Sequence, residues 1–310
     1  MWSGKFMGSI VALVTPMHDS GDIDLEGFRN LILWHLQAGT NGIVVHGTTG
    51  ESATLTLPEK IELLKVAVET VAGRIPIIAG TGSSSTHTTI KETKAAADCG
   101  VDACLVVTPY YNRPTQQGLY LHYKAVAEST DLPIFAYNVP RRTGCDLLPA
   151  TLASLAYLKN IVGIKEATGD VQRVAAIRAL VDDRFVLLSG DDSTTLDFIR
   201  HGGQGVISVT ANVAPKLMSK MCAAVLNGDI TGATAIDTKL SALHAALMVE
   251  SNPIPTKWLL HQLGKLTAAG IRLPLTTLSQ PLHAMVAAAL ELVDWHEMEN
   301  SSTTILNAVG

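Results

Sequence analysis

The sequence predicts an α/β chain folded as a (β/α)8 TIM barrel with a small C-terminal helical domain, and three observations predict it. Eight short runs rich in β-branched residues recur along the chain with helical periodicity between them. Each run ends in a polar cluster, as expected where catalytic groups gather at the C-terminal ends of barrel strands. The 310 residues also suit a barrel of about 250 residues carrying a small appendage.

The expected strands are residues 9–14, 42–46, 75–79, 103–108, 133–137, 161–165, 185–189 and 205–209. Between them, helices are expected over 25–37, 58–71, 86–99, 116–129, 171–181 and 193–199, with 215–226 as the closing barrel helix. Pro58 and Glu59 fall in a first turn, and Gly73 and Gly100 stand where C-caps belong. Asn227-Gly228-Asp229 marks a break, dividing the chain into a catalytic barrel over 1–228 and a helical domain with a tail over 229–310. Helices over 230–250, 256–263 and 280–293 are expected there, while the tail beyond Val293 shows no period and receives no role.

Composition excludes several function classes. Hydrophobic residues make up 47% of the chain and charged residues 16%, which describes a compact soluble protein rather than a disordered one. A net charge of -5 and the absence of any basic run leave no footprint for nucleic acid. No apolar run reaches about 18 residues, and the N-terminal run is too short for a signal core, so no membrane association and a cytoplasmic location are expected. Cys99, Cys104, Cys145 and Cys222 form no CxxC pair and meet no histidine cluster, so reduced thiols are expected and no metal site.

Lys165 is the most informative residue. It closes Ile161-Val162-Gly163-Ile164-Lys165, a run that reads as a buried strand. Strict alternation would put Ile161, Gly163 and Lys165 on one face, with Gly163 leaving space beside the amine. A lysine there either snorkels to solvent or is held inside, where a neutral amine attacks carbonyl carbon. Forming an imine expels water and needs a proton carrier, which a tyrosine can be. Tyr137 ends the neighbouring strand, and Tyr110 with Tyr111 ends the one before it; each could equally be a half-buried aromatic with its hydroxyl in water.

Gly47-Thr48-Thr49-Gly50-Glu51 offers clustered N–H groups and two hydroxyls, a cradle for a carboxylate or simply a chain reversal. Arg141-Arg142 follows the Tyr137 turn and could grip a second carboxylate or pair at the surface. Asp191-Asp192 lacks further ligands at metal spacing and reads as a helix N-cap.

Taken together, Gly47–Glu51, Thr108-Pro-Tyr-Tyr-Asn-Arg-Pro114, Tyr137-Asn-Val-Pro140 with Arg142-Thr-Gly144, Gly163-Ile-Lys-Glu-Ala-Thr-Gly169, Ser189-Gly-Asp-Asp192 and Asn252-Pro-Ile-Pro255 resemble the dihydrodipicolinate synthase family, in order from Gly8 to about Val293. The resemblance implies a class I aldolase-type condensation of pyruvate with L-aspartate 4-semialdehyde to 4-hydroxy-tetrahydrodipicolinate, the first committed step of the diaminopimelate route to lysine. It implies no metal or organic cofactor, and a homotetramer built as a dimer of tight dimers.

By the same resemblance Lys165 would form the Schiff base, and Tyr137 would move its protons, linked by Thr48 to a Tyr111 reaching in from the neighbouring subunit. Thr49, Gly190 and the backbone of Ile207 would hold pyruvate, and Arg142 would bind the carboxylate of the second substrate. N-acetylneuraminate lyase and other pyruvate-dependent retro-aldolases of the superfamily are the alternative, and Arg142 favours the synthase because the sialic acid lyases usually carry an aliphatic residue there. The family's lysine-inhibition pocket is matched at Ser52, Ala53 and Tyr110 but carries Leu57, Ser84 and Thr88 in place of a histidine, an asparagine and a glutamate, so weak or absent feedback inhibition is expected.

Overall fold

The computed structural model describes residues 4–293. Eight parallel strands, β1 (Gly8–Ala12), β2 (Gly42–Val45), β3 (Ile77–Gly80), β4 (Ala103–Val107), β5 (Ile134–Asn138), β6 (Ile161–Glu166), β7 (Val186–Ser189) and β8 (Gly205–Ser208), close into one barrel in chain order. Closure is made by β8 returning to β1, from Gly8 opposite Gly205 to Val11 opposite Ser208. The expected (β/α)8 barrel is therefore the fold.

Both faces of every strand are covered, which is why the strands read as unbroken apolar runs. Ile10, Ala12, Val44, Ile78, Leu105, Phe135, Leu188 and Ile207 fill the barrel interior. Val11, Ile43, Val45, Cys104, Val106 and Ala136 alternate with them and lie under the helices. Phe6 meets Phe135 edge to face at 5.1 Å and is fully buried ahead of β1, plugging the end of the barrel opposite the strand C-termini.

Around the barrel run α1 (Leu25–Ala38), α2 (Leu57–Val71), α3 (Thr86–Asp98), α4 (Gln116–Ala127), α5 (Pro140–Thr143), α6 (Pro149–Leu155), α7 (Gln172–Arg178), α8 (Thr195–Arg200) and α9 (Pro215–Leu226). Their starts are chemically marked. Asp24, Thr56, Ser85 and Thr115 each accept a backbone N–H of the first turn, and Thr56 with Glu59 completes a capping box. Beyond the barrel, α10 (Ile230–Ala246) packs on α9, and α11 (Ile254–Gln262) and α12 (His283–Glu291) complete the C-terminal layer.

Five expectations are corrected. Two helices, α5 and α6, stand between β5 and β6 where none was expected; with 4 and 7 residues they are too short to show a period. The helix expected over 193–199 is a 3-10 turn, Asp192–Thr194, followed by α8, and only Asp191 caps it, accepting Ser193 N–H at 3.2 Å. Asp192 is not a cap: its Oδ2 accepts the N–H groups of Val209 and Thr210, both at 2.9 Å, tying the turn after β7 to the turn after β8.

The fourth correction concerns β6. Its register against β5 slips between Ile134 and Phe135, which pair with Ile161 and Gly163. Val162 therefore joins the interior with Lys165's face, and Ile161 turns outward. Of the C-terminal helices, α10 and α12 are shorter than expected, α10 stopping at Ala246 and α12 being preceded by a 3-10 turn, Gln280–Leu282, whereas α11 begins earlier than expected, at Ile254. The tail expectation beyond Val293 lies outside the described residues.

Candidate active site

Lys165 lies near the C-terminal end of β6 and points into the barrel, with 5% of its surface exposed. Tyr137 on β5 is its paired neighbour in the sheet, and its ring centroid is 4.4 Å from Lys165 Nζ. The snorkelling alternative is thereby removed, since the amine sits over an aromatic face inside the barrel. A cavity at this level is lined by Lys165, Tyr137, Thr48, Ser52, Gly47, His46 and apolar residues from β1, β2 and β4.

Room for the lysine stem comes from a different glycine than expected. A Cβ on Gly163 would meet Val186 O at 2.4 Å and the Phe135 ring at 2.7 Å, so Gly163 accommodates the Phe135 packing beneath the amine. A Cβ on Gly190 would lie 3.0 Å from Lys165 Cε and 3.1 Å from its Cγ. Gly190, after β7, is the residue that leaves the amine its path.

The outer face of the same strand carries Glu166, 3% exposed. Burial raises its carboxyl pKa, opposed by hydrogen bonds from Asn138 Nδ2 at 3.2 Å and from the Thr168 N–H at 2.8 Å. Asn138 Nδ2 also donates to Asp146, which Arg173 pairs with in turn. This polar network fixes the backbone between Tyr137 and Lys165 from behind.

The turn after β2 is built of close approaches. A Cβ on Gly50 would stand 2.9 Å from His46 Cα and 3.0 Å from Leu13 O, so the turn folds flat onto β1. Thr49 is buried, and its Oγ1 accepts from Asn252 Nδ2 at 2.9 Å. Glu51, 4% exposed, sits at φ 58. His46 is buried with Nδ1 donating to Gly80 O at 2.8 Å, which leaves Nε2 as a lone-pair acceptor; burial first, and Lys60 second, lower its pKa to about 4.

Ile207 is buried in the interior cluster on β8, two residues before the Asp192-held N–H of Val209. Arg142 is exposed on α5, at the rim, with Nη2 3.5 Å from the carbonyl of Asn252. Arg141 turns outward to a surface pair with Asp191. Asn252 thus touches both Thr49 and Arg142, a role that sequence reading missed although Asn252-Pro253-Ile254-Pro255 had been singled out.

Tyr111 does not join the cavity of its own chain. Its residue surface is 93% exposed and its φ is 73, a backbone conformation a bulky side chain seldom adopts. Tyr110 is 40% exposed beside it. Of the residues expected in an inhibitory pocket, Ser52 instead lines the Lys165 cavity, Ala53 is exposed, and Leu57 lines a separate small cavity with His46, Lys60 and Glu92. Ser84 accepts Asn112 through its carbonyl at 2.9 Å, and Thr88 opens α3 with its N–H on Ser85. The four cysteines are free thiols, and burial pushes Cys104 up to about 12.

The Dihydrodipicolinate synthetase family model matches residues 5–292. A 4-hydroxy-tetrahydrodipicolinate synthase from Methylococcus capsulatus is 56% identical over 283 residues, spanning 91% of this chain and 97% of its own. Another of that name, from Pseudomonas savastanoi pv. phaseolicola, is 54% identical over the same share of each chain. Among solved structures, the chloride-inhibited dihydrodipicolinate synthase from Acinetobacter baumannii, complexed with pyruvate, is similar at TM-score 0.91 and 50% identity, covering 93% of this chain and 98% of that one.

Proposed function

The chain belongs to the dihydrodipicolinate synthetase family, and we propose that Lys165 is the amine through which it acts. The protein is a lyase of lysine biosynthesis, condensing pyruvate with L-aspartate 4-semialdehyde to 4-hydroxy-tetrahydrodipicolinate. The observation that carries the assignment is the pairing of Lys165 with Tyr137 at one barrel level, the amine 4.4 Å from the ring and almost wholly buried.

The neutral amine of Lys165 attacks the ketone carbon of pyruvate, and the carbinolamine loses water to give the imine. Tyr137 is the group placed to deliver and recover the protons of that dehydration. Loss of a methyl proton gives the enamine, whose carbon attacks the aldehyde of the second substrate. The amino group of that substrate then displaces Lys165 and closes the ring, returning the free lysine.

Thr49, Gly190 and the Ile207 backbone hold pyruvate on this reading, and Arg142 at the rim receives the carboxylate of the semialdehyde. Thr48 lines the cavity with Tyr137 and Lys165 and links Tyr137 to Tyr111 of a second copy. The exposed, strained Tyr111 supports a tight dimer in which each chain lends this residue, assembled as a homotetramer. Among the described residues no helix is long and apolar enough to cross a membrane, in keeping with a cytoplasmic enzyme.

Borohydride reduction in the presence of pyruvate tests the assignment. A pyruvate-derived mass on the peptide carrying Lys165, lost in Lys165→Ala, is expected; an unmodified Lys165 in active enzyme would overturn it.

A further inference from the structure

We infer that Lys257, on α11, is a positioning residue for the condensation: it holds the Thr48-Thr49 turn through a buried ion pair with Glu51. The inference rests on the reading of that turn as part of the pyruvate subsite.

Glu51 occupies a left-handed backbone conformation, φ 58, at the end of the turn. A non-glycine residue there is strained and persists only where its surroundings over-determine it. The surroundings here come from the far end of the chain. Lys257 Nζ donates to Glu51 Oε1 at 2.6 Å, and the Arg272 N–H donates to Oε2 at 3.2 Å. Both side chains of the ion pair are 1% exposed. Burial lowers the pKa of Lys257, while the Glu51 charge and hydrogen bond raise it, so the carboxylate is what makes the buried ammonium tolerable.

Net stability does not account for such a pair, because desolvating two charges offsets most of their attraction, and well-packed neutral side chains often serve as well. Directionality does account for it. A carboxylate gripped at both oxygens fixes the Cα of Glu51, and the Glu51 N–H reaches back to Thr48 O at 3.1 Å, carrying that constraint into the turn. Asn252 grips Thr49 from the same C-terminal segment, and Thr15 Oγ1 holds Gly50 O at 2.7 Å on the other side. The C-terminal helices thus reach the reaction through the loop after β2.

The test compares Lys257→Met with the double variant Glu51→Gln/Lys257→Met, using borohydride trapping of pyruvate on Lys165 as the readout. In Lys257→Met, Tm should fall and the pyruvate concentration for half-maximal trapping should rise roughly tenfold, the order of effect expected when a charged hydrogen bond ceases to hold a binding element. The double variant, with no uncompensated buried charge, should regain most of its Tm yet keep the raised half-saturation. A half-saturation that returns to the wild-type value along with Tm would reduce the pair to a stability element and overturn the inference, as would wild-type trapping in either folded variant. If Lys257→Met does not fold, the half-saturation of the double variant decides alone. Absence of trapping in the wild type instead refutes the assignment of Lys165.

Discussion

A single methyl group added at Gly190 should cost about two orders of magnitude in kcat/KM while leaving the barrel folded. In Gly190→Ala the new Cβ would lie 2.5 Å from Ala167 Cβ and 3.0 Å from Lys165 Cε. Carbon atoms rest at about 3.5–4.0 Å, so the Ala167 contact is short by about 1 Å. Ala167 directly follows β6, and its Cβ moves only with its backbone. The lysine stem can rotate away from its own contact with the new methyl, but that rotation moves the chain that holds Nζ 4.4 Å from the Tyr137 ring.

A displacement of about 1 Å from productive geometry costs on the order of a hundredfold in rate, whereas overpacking of this kind costs the fold about 1–3 kcal/mol. The assay is coupled reduction of the product by dihydrodipicolinate reductase, following NADPH, with circular dichroism to show that the variant is folded. A folded Gly190→Ala enzyme whose kcat/KM stays within about twofold of wild type would refute the reasoning, because the alanine would then have been absorbed without moving the amine.

Arg142→Ala should raise KM for the semialdehyde with a smaller effect on kcat, whereas Tyr111→Phe should lower kcat by about 10-fold or more with pyruvate KM little changed; steady-state kinetics showing the reverse pattern contradicts both roles. Lysine should inhibit weakly or not at all, since Thr88 offers no carboxylate and the nearby Glu92 is held by Lys60 at 2.9 Å; inhibition at micromolar lysine would sink this expectation. Glu59 is lowered to about 2 by its Arg272 hydrogen bonds, so its ionised form stabilises the fold fully above pH about 4.5 and that contribution is lost as pH falls through about 2. Glu59→Gln should therefore cost about 1–2 kcal/mol at pH 6, discounted for partial exposure, and progressively less toward pH 2; a urea-midpoint gap that does not shrink with acid would contradict the pairing.

The strands were legible because each is a short apolar run stopped by glycine, proline or a polar cluster, and because burial on both faces leaves no polar alternation to confuse the reading. Their observed ends move by only a residue or two, as with β1 ending at Ala12 instead of residue 14. What escaped was long-range or local in a way that spacing does not encode. Lys257 and Glu51 are separated by 206 positions, and nothing in the helix around Lys257 announces a buried partner. Asp191 and Asp192 are adjacent and chemically identical, yet one caps a helical turn while the other bonds across to the β8 turn, a division set by where the backbone points each carboxylate. Gly163 and Gly190 likewise differ only in their neighbours.

One register slip decides which side chains face each other at the site. With unbroken pairing from Ile134 opposite Ile161, Tyr137 would stand level with Ile164 and Asn138 with Lys165. The structure instead pairs Phe135 with Gly163, one residue further along β6, and this brings Tyr137 level with Lys165 and Asn138 with Glu166. Because side chains alternate between faces, a one-residue slip exchanges inward and outward neighbours along the whole strand end. The slip therefore makes two matched pairs at once: a phenol beside an amine inside the barrel, and an amide beside a carboxyl outside it. Gly163 sits at the slip, where a Cβ would strike both Val186 O and the Phe135 ring. Its missing side chain serves the alignment of Lys165 with Tyr137 rather than the space around the amine.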